Sequence, residues 1–581
     1  MERAVLGGSK QGVRQRASGS SPHRCELAQY LYGQHCWGCM SLPQVQRIAE
    51  LASREILAVG APVPKELHVL ATLGDSSSSH NMRRDLERRC AKPWLPVTWH
   101  DVPVILSGTS TVAERKLAFF EPYLVFLEVQ ERQTDVFRSV ICPSTDSIQQ
   151  FWSEVGSHPA LVRHPVRKID RFDQRAIPVV LHGDGVPVSG LLGAQQRSCC
   201  FVSWRSLLCR ESSSKRQHFL LTAIWSQQIA KSQTLDSLYS VVCSSFDGML
   251  HDAAAGKIER FLLPVFCTGD LEWFSLAHGL PRWNSRQPCG CCAVQRQNIL
   301  HFQEVAEVSE DPWDDSVPAR CELFRRTMST KSILPDLMHT KHLGVDQKIC
   351  GSVIWMLAHE IWPDTVQENL HRVLAEMKAW CSEQRLPGLN SLTPGMYLGK
   401  LTDPGCTQHY PSLKAKAAET KVTVQALAAV FQVHMDQSDE LHVLTHLTLK
   451  FSTKIDSVLA ETAASWHPTD SQCEDLHAAA VGMLQCMTRL TKENRQQKNR
   501  CLFQLTFKGH WLIHCMQLCR HISPVHCWCY SGEDYMSKCK TLLRSCLCGR
   551  KPLPALQRFA EQYARASCFE FRQTSLRSVI C

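Results

Sequence analysis

Two kinds of hydrophobic pattern divide the chain into a strand-rich part and a helix-rich part. Between residues 177 and 267, short apolar runs with many β-branched and aromatic residues are separated by polar segments, which is typical of buried strands. After residue 270, apolar positions recur at spacings of three and four over long segments, which predicts helices. The part before residue 176 has a mixed, mostly helical pattern. We therefore expect an α/β core, a large helical region and an α-rich N-terminal region.

The strand-rich part follows the order strand, strand, strand, helix, strand. The predicted strands cover residues 177–182, 199–204, 218–225 and 261–267. Thr234 is the predicted N-cap of the helix, whose apolar residues continue at helical spacing to Leu250. In such a β-β-β-α-β unit the helix is a crossover, so the first and fourth strands are expected to pair in parallel. Pro264 departs from this pattern, since proline is poorly tolerated in an interior strand.

The helix-rich part is expected to form a large all-α insertion and a helical C-terminal part. The predicted helices cover residues 365–384, 417–435, 439–461, 471–493 and 502–522, and another begins near residue 529. The patterns together divide the chain into a flexible tail (1–22), a mixed, mostly helical N-terminal region (23–175), the first part of the core (176–292), the helical insertion (293–500) and a helical part that completes the core (501–581).

Composition narrows the class of protein. Of the 581 residues, 44% are hydrophobic and 20% are charged, which is typical of a globular chain. The formal net charge of +9 permits contact with a polyanion without requiring it. The chain has 29 cysteines, an odd number, and its polar, basic N-terminus lacks the apolar core of a secretory signal. We therefore expect a reducing compartment, in which most of the thiols are buried. No apolar run approaches the roughly 18 residues that span a bilayer, so we expect a soluble protein with no membrane contact.

Two aspartates stand where neighbouring strands are predicted to end. Asp184 follows the first strand in Leu-His-Gly-Asp-Gly, and Asp270 follows the fourth in Thr-Gly-Asp. With a glutamate from a later helix, for which Glu533 is the candidate, these carboxylates would bind two Mg²⁺ or Mn²⁺ ions and promote phosphoryl displacement. Each residue also has a plain explanation, as a turn aspartate or as an acid that favours a helix N-terminus. Glu360 and Asp534 are alternatives for the third acid.

Cysteine and histidine pairs indicate a second metal site. The candidate ligands are Cys289, Cys292, His510 and His514. The cysteines have zinc-knuckle spacing and the histidines lie one helical turn apart. A structural Zn²⁺ held by all four would join the strand of the second aspartate to the region of the third acid. Alternatively, the thiols are simply buried and the histidines pack or face a phosphate. Cys291 and Cys321 are possible replacement ligands.

Two further motifs are ambiguous on spacing alone. Asp336 and His339 share a helix face and could bind metal or position a phosphate, but they also fit a capped helix start. Cys36 and Cys39 form a Cys-x-x-Cys pair. We interpret this pair as two buried thiols before a helix that begins after Ser41, because no second pair lies at zinc-ribbon spacing.

The order of these motifs resembles that of the DDE/D transposases of eukaryotic cut-and-paste DNA transposons, especially the CACTA (EnSpm)-like and plavaka/KDZ-like groups. The matching pieces are Leu-His-Gly-Asp-Gly around Asp184, Thr-Gly-Asp-Leu around Asp270 followed by Pro-Cys-x-x-Cys, Asp336-x-x-His339, and Tyr-Ser-Gly-Glu-Asp-x-Met around Glu533. They extend over residues 177–549. The cysteine and histidine pairs are similar to the zinc site of the related V(D)J recombinase and Transib-type enzymes.

The resemblance implies an RNase H-like core interrupted by a helical insertion. It implies metal-dependent hydrolysis of DNA at a transposon end, followed by attack of the freed 3′-hydroxyl on target DNA. Asp184, Asp270 and Glu533 would hold the metal ions, and Asp336 and His339 would match a family signature whose role is left open. Transposon-end and target DNA, further copies of the chain and a nuclear location are implied as well. Two alternatives stay open: an inactive or domesticated descendant that still binds nucleic acid, and a zinc-stabilised helical interaction protein.

Overall fold

This computed structural model describes residues 25–75, 81–89, 93–188, 197–302, 305, 328, 330–399, 402–547 and 552–572. The tail predicted over residues 1–22 and the possible ligand Cys321 lie outside the described residues. Contacts divide the chain into two compact units, Met1–Pro93 with Arg572–Cys581, and Trp94–Phe571. This division falls after residue 93, whereas the sequence pattern suggested a boundary after residue 175.

The first unit is helical. Its helices are α1 (Glu26–Cys36), α2 (Leu42–Ala58), α3 (Lys65–Ala71) and α4 (Met82–Arg89). Helix α2 begins after Ser41, as predicted, with a capping box between Ser41 and Gln44. Cys36 is buried and Cys39 is exposed, so only one thiol of the Cys-x-x-Cys pair matches the prediction of two buried thiols.

A four-stranded sheet forms the centre of the second unit. Its strands are β3 (Ala176–Val188), β4 (Arg197–Ser206), β5 (Phe219–Trp225) and β6 (Phe261–Gly269). The spatial order is β5-β4-β3-β6, with β3 antiparallel to β4 and parallel to β6. Every residue of β5 and β6 is buried. Because successive strand residues point to opposite faces, both faces of the sheet are covered.

Pro264 lies in a strand, and the topology explains why it is tolerated. Strand β6 is at the edge of the sheet, so Pro264 removes no hydrogen bond to an outer strand. Its partner is Val179, and the register shifts directly after this pair, since Val180 pairs with Phe266. The proline therefore sits at an irregularity of an edge strand, which is a position where proline is accepted.

A β-hairpin and several helices precede and surround this sheet. They are β1 (Thr98–Ile105), β2 (Val112–Phe119), α5 (Pro122–Arg132), α6 (Thr134–Val136, continued by the π-helical turn Phe137–Ile141), α7 (Thr145–Val155), α8 (Phe172–Arg175), α9 (Ser214–Gln217), α10 (Lys231–Ala254) and α11 (Leu271–His278). Short 3₁₀ turns cover Pro165–Lys168, Ser226–Gln228, Arg296–Asn298 and Thr330–Ser332. The hairpin lies beside β5, where the Phe120 amide donates to the Leu221 carbonyl at 2.9 Å.

The crossover helix α10 starts earlier than predicted. It begins at Lys231, so Thr234 lies inside the first turn and is not the N-cap. The Thr234 hydroxyl nevertheless accepts a hydrogen bond from the Ala230 amide at 2.8 Å and donates to the Pro103 carbonyl. The hydroxyl thus still satisfies a backbone donor at the helix start, and it also joins the helix to the hairpin.

The rest of the second unit is helical. A π-helical segment, Met338–Val345, leads into α12 (Asp346–Met356) and the π-helical turn Leu357–Ile361, and then follow α13 (Val366–Glu383), α14 (Pro394–Tyr397), α15 (Ala417–His434), α16 (Glu440–Glu461), α17 (Asp470–Lys498), α18 (Phe507–Leu518), α19 (Pro524–Cys527), α20 (Tyr530–Leu547) and α21 (Pro552–Arg572). Thr365 and Asp439 are N-caps, which confirms the predicted starts of α13 and α16. One apolar core joins five of these helices through Ile349, Val424, Leu449, Leu484 and Leu512. Within the described part of the chain, no helix is both long and apolar enough to cross a bilayer.

Candidate metal-dependent active site

The parallel pairing of β3 and β6 brings Asp184 and Asp270 to one edge of the sheet. The last residue pair of this ladder is Gly183 with Gly269, so each aspartate is the next residue after the ladder ends. Asp270 caps α11 and accepts a hydrogen bond from the Trp273 amide at 2.5 Å. The predicted end of the first strand was wrong, because β3 continues to Val188. Asp184 therefore lies inside a strand, paired with Phe201 of β4, where its backbone is held more firmly than in a turn.

The glycine before each aspartate makes room for Trp273. A Cβ atom on Gly183 would lie 2.1 Å from the Trp273 ring, and one on Gly269 would lie 2.7 Å from it. Both distances are far below van der Waals contact, so only glycine fits at either position. The indole therefore packs directly on the two strand ends and fixes α11, with its capping Asp270, against β3.

Glycine also places the third acid. Glu533 lies in the first turn of α20, which contacts β3. A Cβ atom on Gly532 would lie 2.5 Å from Nε2 of His182, a buried residue of β3. The absence of a side chain at Gly532 thus lets the helix start approach the strand two residues before Asp184. Burial lowers the pKa of His182 to about 4, so its ring is neutral.

The two alternatives for the third acid have other partners. Glu360 forms ion pairs with Arg500 and Lys498 in the insertion. Asp534 accepts a hydrogen bond from the Ser214 hydroxyl and pairs with Lys538 at 3.2 Å. Glu533 is therefore the acid of this set that faces the two aspartates.

The charges of the three acids influence one another. Burial and the negative charge of Asp270 raise the pKa of Asp184 from 3.8 to about 6. Burial and the negative charge of Asp184 raise the pKa of Glu533 from 4.5 to about 7. The carboxyl groups of Asp184 and Glu533 are close enough for each to change the ionisation of the other. Carboxylates held this close retain a proton near neutral pH unless a cation balances them.

Asp336 and His339 adjoin this acid cluster, by which we mean Asp184, Asp270 and Glu533. Asp336 accepts hydrogen bonds from Nδ1 of His339 at 2.7 Å and from the Cys529 amide at 2.8 Å. Nε2 of His339 then lies 3.6 Å from a Glu533 oxygen. Burial alone would lower the pKa of His339, but the hydrogen bond and charge of Asp336, with the charge of Glu533, raise it. Asp336 thus orients His339 toward the third acid.

Three groups of buried or partly buried side chains have donor atoms that lie within 4.8 Å of one another and could hold a metal ion. They are Cys289, Cys292, His510 and His514; Asp336, His339 and Cys529; and His342, Asp346 and Asp456. The acid cluster does not meet this distance criterion.

The first group has the donor set and the spacing of a tetrahedral zinc site. Its four residues are all buried. The Cys292 sulfur lies 3.3 Å from Nε2 of His510, which is 3.0 Å from Nε2 of His514. Zn²⁺ at 2.3 Å from sulfur and about 2.0 Å from nitrogen brings tetrahedral ligands to about this separation. Nδ1 of His514 hydrogen-bonds Oε1 of Gln517 at 2.8 Å. With the proton on Nδ1, the lone pair of Nε2 is directed toward the group and can coordinate a metal ion.

Sequence reasoning missed three features of the site. Cys529 lies beside Asp336 and His339, yet it belongs to no spacing motif. Trp273 contacts both strand ends, and a signal for it existed in the glycine that precedes each aspartate. The group of His342, Asp346 and Asp456 is drawn from the π-helical segment, α12 and α16, and no local pattern connects these positions.

The sequence was also compared with known proteins. No family model matches the chain, and no curated protein matches it.

Proposed function

We propose that this chain is a DNA-cleaving and strand-transferring enzyme of the DDE/D transposase type, with an RNase H-like core interrupted by a helical insertion. The observation that carries the proposal is the meeting of Asp184, Asp270 and Glu533, from two parallel strands and a distant helix, where burial and neighbouring negative charge raise the pKa values of Asp184 and Glu533. The order β5-β4-β3-β6 supports it, since β3 and β6 pair in parallel as a β-β-β-α-β core requires. DNA as substrate, assembly with further copies of the chain and a nuclear location belong to the proposal through the resemblance.

In this proposal the acid cluster holds two Mg²⁺ or Mn²⁺ ions. When bound, such ions favour phosphodiester displacement by activating the attacking oxygen and neutralising the leaving one. Residues around the acid cluster hold its three carboxylates in position. Trp273 fixes the two strand ends, Gly532 lets the third acid approach them, and Asp336 turns His339 toward Glu533. Divalent ions bind the ionised forms of Asp184 and Glu533, so ion affinity should rise between about pH 6 and pH 7.

The experiment is DNA nicking by purified protein. The substrate is a supercoiled plasmid that carries the genomic sequence flanking the coding region, with Mg²⁺ or Mn²⁺ added. We expect nicking by the native chain and a loss of about 1,000-fold or more in Asp184→Asn, Asp270→Asn and Glu533→Gln. Asp534→Asn is the matched control, because its side chain faces Ser214. Equal nicking by native protein and Asp184→Asn would refute the site, and salt-sensitive DNA binding without cleavage would favour the non-catalytic descendant.

We also propose that Cys289, Cys292, His510 and His514 hold one structural Zn²⁺. The test is elemental analysis of purified protein, with one zinc expected per chain. Cys292→Ser should lose the zinc, whereas Cys291→Ser should retain it, because Cys291 is buried nearby but does not belong to the group. Folded native protein free of zinc would contradict the proposal.

A further inference from the structure

The first turn of α20, which carries Glu533, is attached to three different parts of the second unit. The Cys529 amide donates to Asp336 at 2.8 Å. The Tyr530 hydroxyl hydrogen-bonds Nδ1 of His342 at 2.7 Å, and the Ser531 hydroxyl hydrogen-bonds Nε2 of His218 at 3.1 Å. Three consecutive residues therefore fix the start of this helix just before the acid.

The Tyr530 attachment leads into a network that is fully buried in the helical part. Nε2 of His342 lies 3.0 Å from Asp456. The ammonium group of Lys341 lies 2.8 Å from both Asp456 and Asp346. The side chains of these four residues are between 0% and 2% exposed. We call Lys341, His342, Asp346 and Asp456 the buried charge network, to which the half-buried Tyr530 is hydrogen-bonded through His342.

Together with Tyr530, this network connects four separate segments of the chain. Lys341 and His342 belong to the π-helical segment, and Asp346 begins α12. Asp456 comes from α16, and Tyr530 begins α20. Each charged group has an opposite charge within 3 Å, which is the condition under which a buried ionic network fixes one arrangement of its elements.

A series of hydrogen bonds leads from Asp456 through His342 and Tyr530 to the helix turn that carries Glu533. When Nε2–H of His342 donates to Asp456, Nδ1 is the acceptor, and it takes the hydrogen bond of the Tyr530 hydroxyl. Tyr530 and Glu533 are three residues apart at the start of one helix, so they lie on the same face. A shift of Tyr530 therefore moves the Glu533 carboxylate with it.

We propose that His342 and Asp456 are positioning residues for Glu533 and act on it through Tyr530. This inference rests on the proposed function, in which Glu533 is a metal ligand. Loss of the Tyr530 hydrogen bond should loosen the first turn of α20 and weaken the hold of the acid cluster on divalent ions. The loss expected for residues that orient a ligand from behind is about 10-fold to 100-fold in metal affinity.

The test variant is Tyr530→Phe, which removes only the hydroxyl and leaves the ring contact with Trp528. The matched control is Tyr397→Phe, since the Tyr397 hydroxyl also hydrogen-bonds a histidine, His359, at 3.0 Å, but does so inside the insertion. A second variant, His342→Gln, interrupts the same network one bond further from Glu533.

Two measurements are needed, and the first does not depend on activity. Hydrogen exchange of the metal-free protein should be about 10-fold faster at residues 530–534 in Tyr530→Phe and His342→Gln, and unchanged there in Tyr397→Phe. The Mn²⁺ concentration that gives half-maximal thermal stabilisation should rise about 10-fold in the same two variants only. The positioning role is overturned if Tyr530→Phe behaves as Tyr397→Phe in both measurements. If native protein neither binds Mn²⁺ nor nicks DNA, the proposed function fails, while the exchange data still decide whether Tyr530 holds the turn.

Discussion

The second unit gathers carboxylates in two places, and the two differ in what balances their charge. In the buried charge network, Lys341 lies 2.8 Å from Asp346 and Asp456. Burial alone would raise the pKa of Asp456, but Lys341 and His342 hold it well below its usual range. In the acid cluster, no lysine or arginine of the described residues lies within ion-pair distance of the three carboxylates. Nε2 of His339 lies 3.6 Å from a Glu533 oxygen, and the charge of Asp270 acts on Lys508 from beyond ion-pair distance.

This difference separates a structural set of charges from a candidate binding site. Carboxylates that enclose a lysine already have their cation, and their charges stabilise the folded chain. Carboxylates without one repel each other, so their pKa values rise and they hold a proton or bind an added cation. The same residue types therefore have opposite consequences, and both can be measured by substitution.

The largest effect is expected from removing the lysine of the network. Lys341→Met should lower the free energy of unfolding by about 3–5 kcal/mol, because two buried carboxylates lose their counter-ion. The control is Lys116→Met at an exposed pair with Asp101, where a change of at most about 1 kcal/mol is expected. Denaturant unfolding at neutral pH provides the comparison. Similar losses in the two variants would show that the buried network is not a stabilising unit.

The second prediction concerns added metal. At 100 times its dissociation constant, Mn²⁺ should stabilise the native chain by about 2.7 kcal/mol, because only the folded state presents the acid cluster. Asp184→Asn and Asp270→Asn should lose this gain and should fold normally without metal. Asp403→Asn is a control at an acid whose partners are backbone amides of its own loop. Thermal melting with and without Mn²⁺ measures the effect, and an undiminished gain in Asp184→Asn would place the ion elsewhere.

The two regions also differ in how far the sequence revealed them. The aspartate pair of the acid cluster was predictable because strand patterns, a crossover helix and two Gly-Asp pairs are local signals, whereas Glu533 was assigned mainly through the resemblance. The hydrophobic pattern located α13 and α16 together with their caps, since Thr365 and Asp439 precede clear helical periodicity. The end of β3 was not predictable, because Gly-Asp-Gly normally indicates a turn, whereas pairing with β4 keeps the chain extended to Val188.

The buried charge network had no signal in the sequence. Lys341 and Asp456 are 115 positions apart, and a lysine or an aspartate in a helical pattern is normally assigned to an exposed face. Burial of these side chains is decided by the packing of the separate helical segments that contribute Lys341, Asp346 and Asp456. The hairpin of β1 and β2 was missed for a related reason, since its burial depends on contact with β5 and not on its own composition.

The third prediction tests the packing that shapes the acid cluster. Gly183→Ala should lower the free energy of unfolding by about 1–3 kcal/mol, because its Cβ would overlap the Trp273 ring. Gly185→Ala, two residues away in the same strand, is the matched control, since its Cβ would lie 3.8 Å from the nearest atom. Both variants are compared by denaturant unfolding. Equal stability of the two would mean that Trp273 does not pack on the strand end.

The smallest effect concerns the pH dependence of stability that the Glu533 carboxyl group causes. The pKa of Glu533 is raised to about 7 in the folded state, against 4.5 for a free glutamate. The folded state therefore binds this proton more tightly than the unfolded state, and the free energy of unfolding falls as pH rises from about 4.5 through 7. Glu533→Gln should therefore stabilise the metal-free protein at pH 8, on the order of 1 kcal/mol because its side chain is 34% exposed and partly screened. The gain should vanish at pH 4.5, where the native carboxyl group is already protonated. Melting in the presence of a chelator at both pH values measures this, with the exposed Glu474→Gln as control. A loss of stability at pH 8 would show that Glu533 is already balanced by His339, and the contrast with the buried charge network would then disappear.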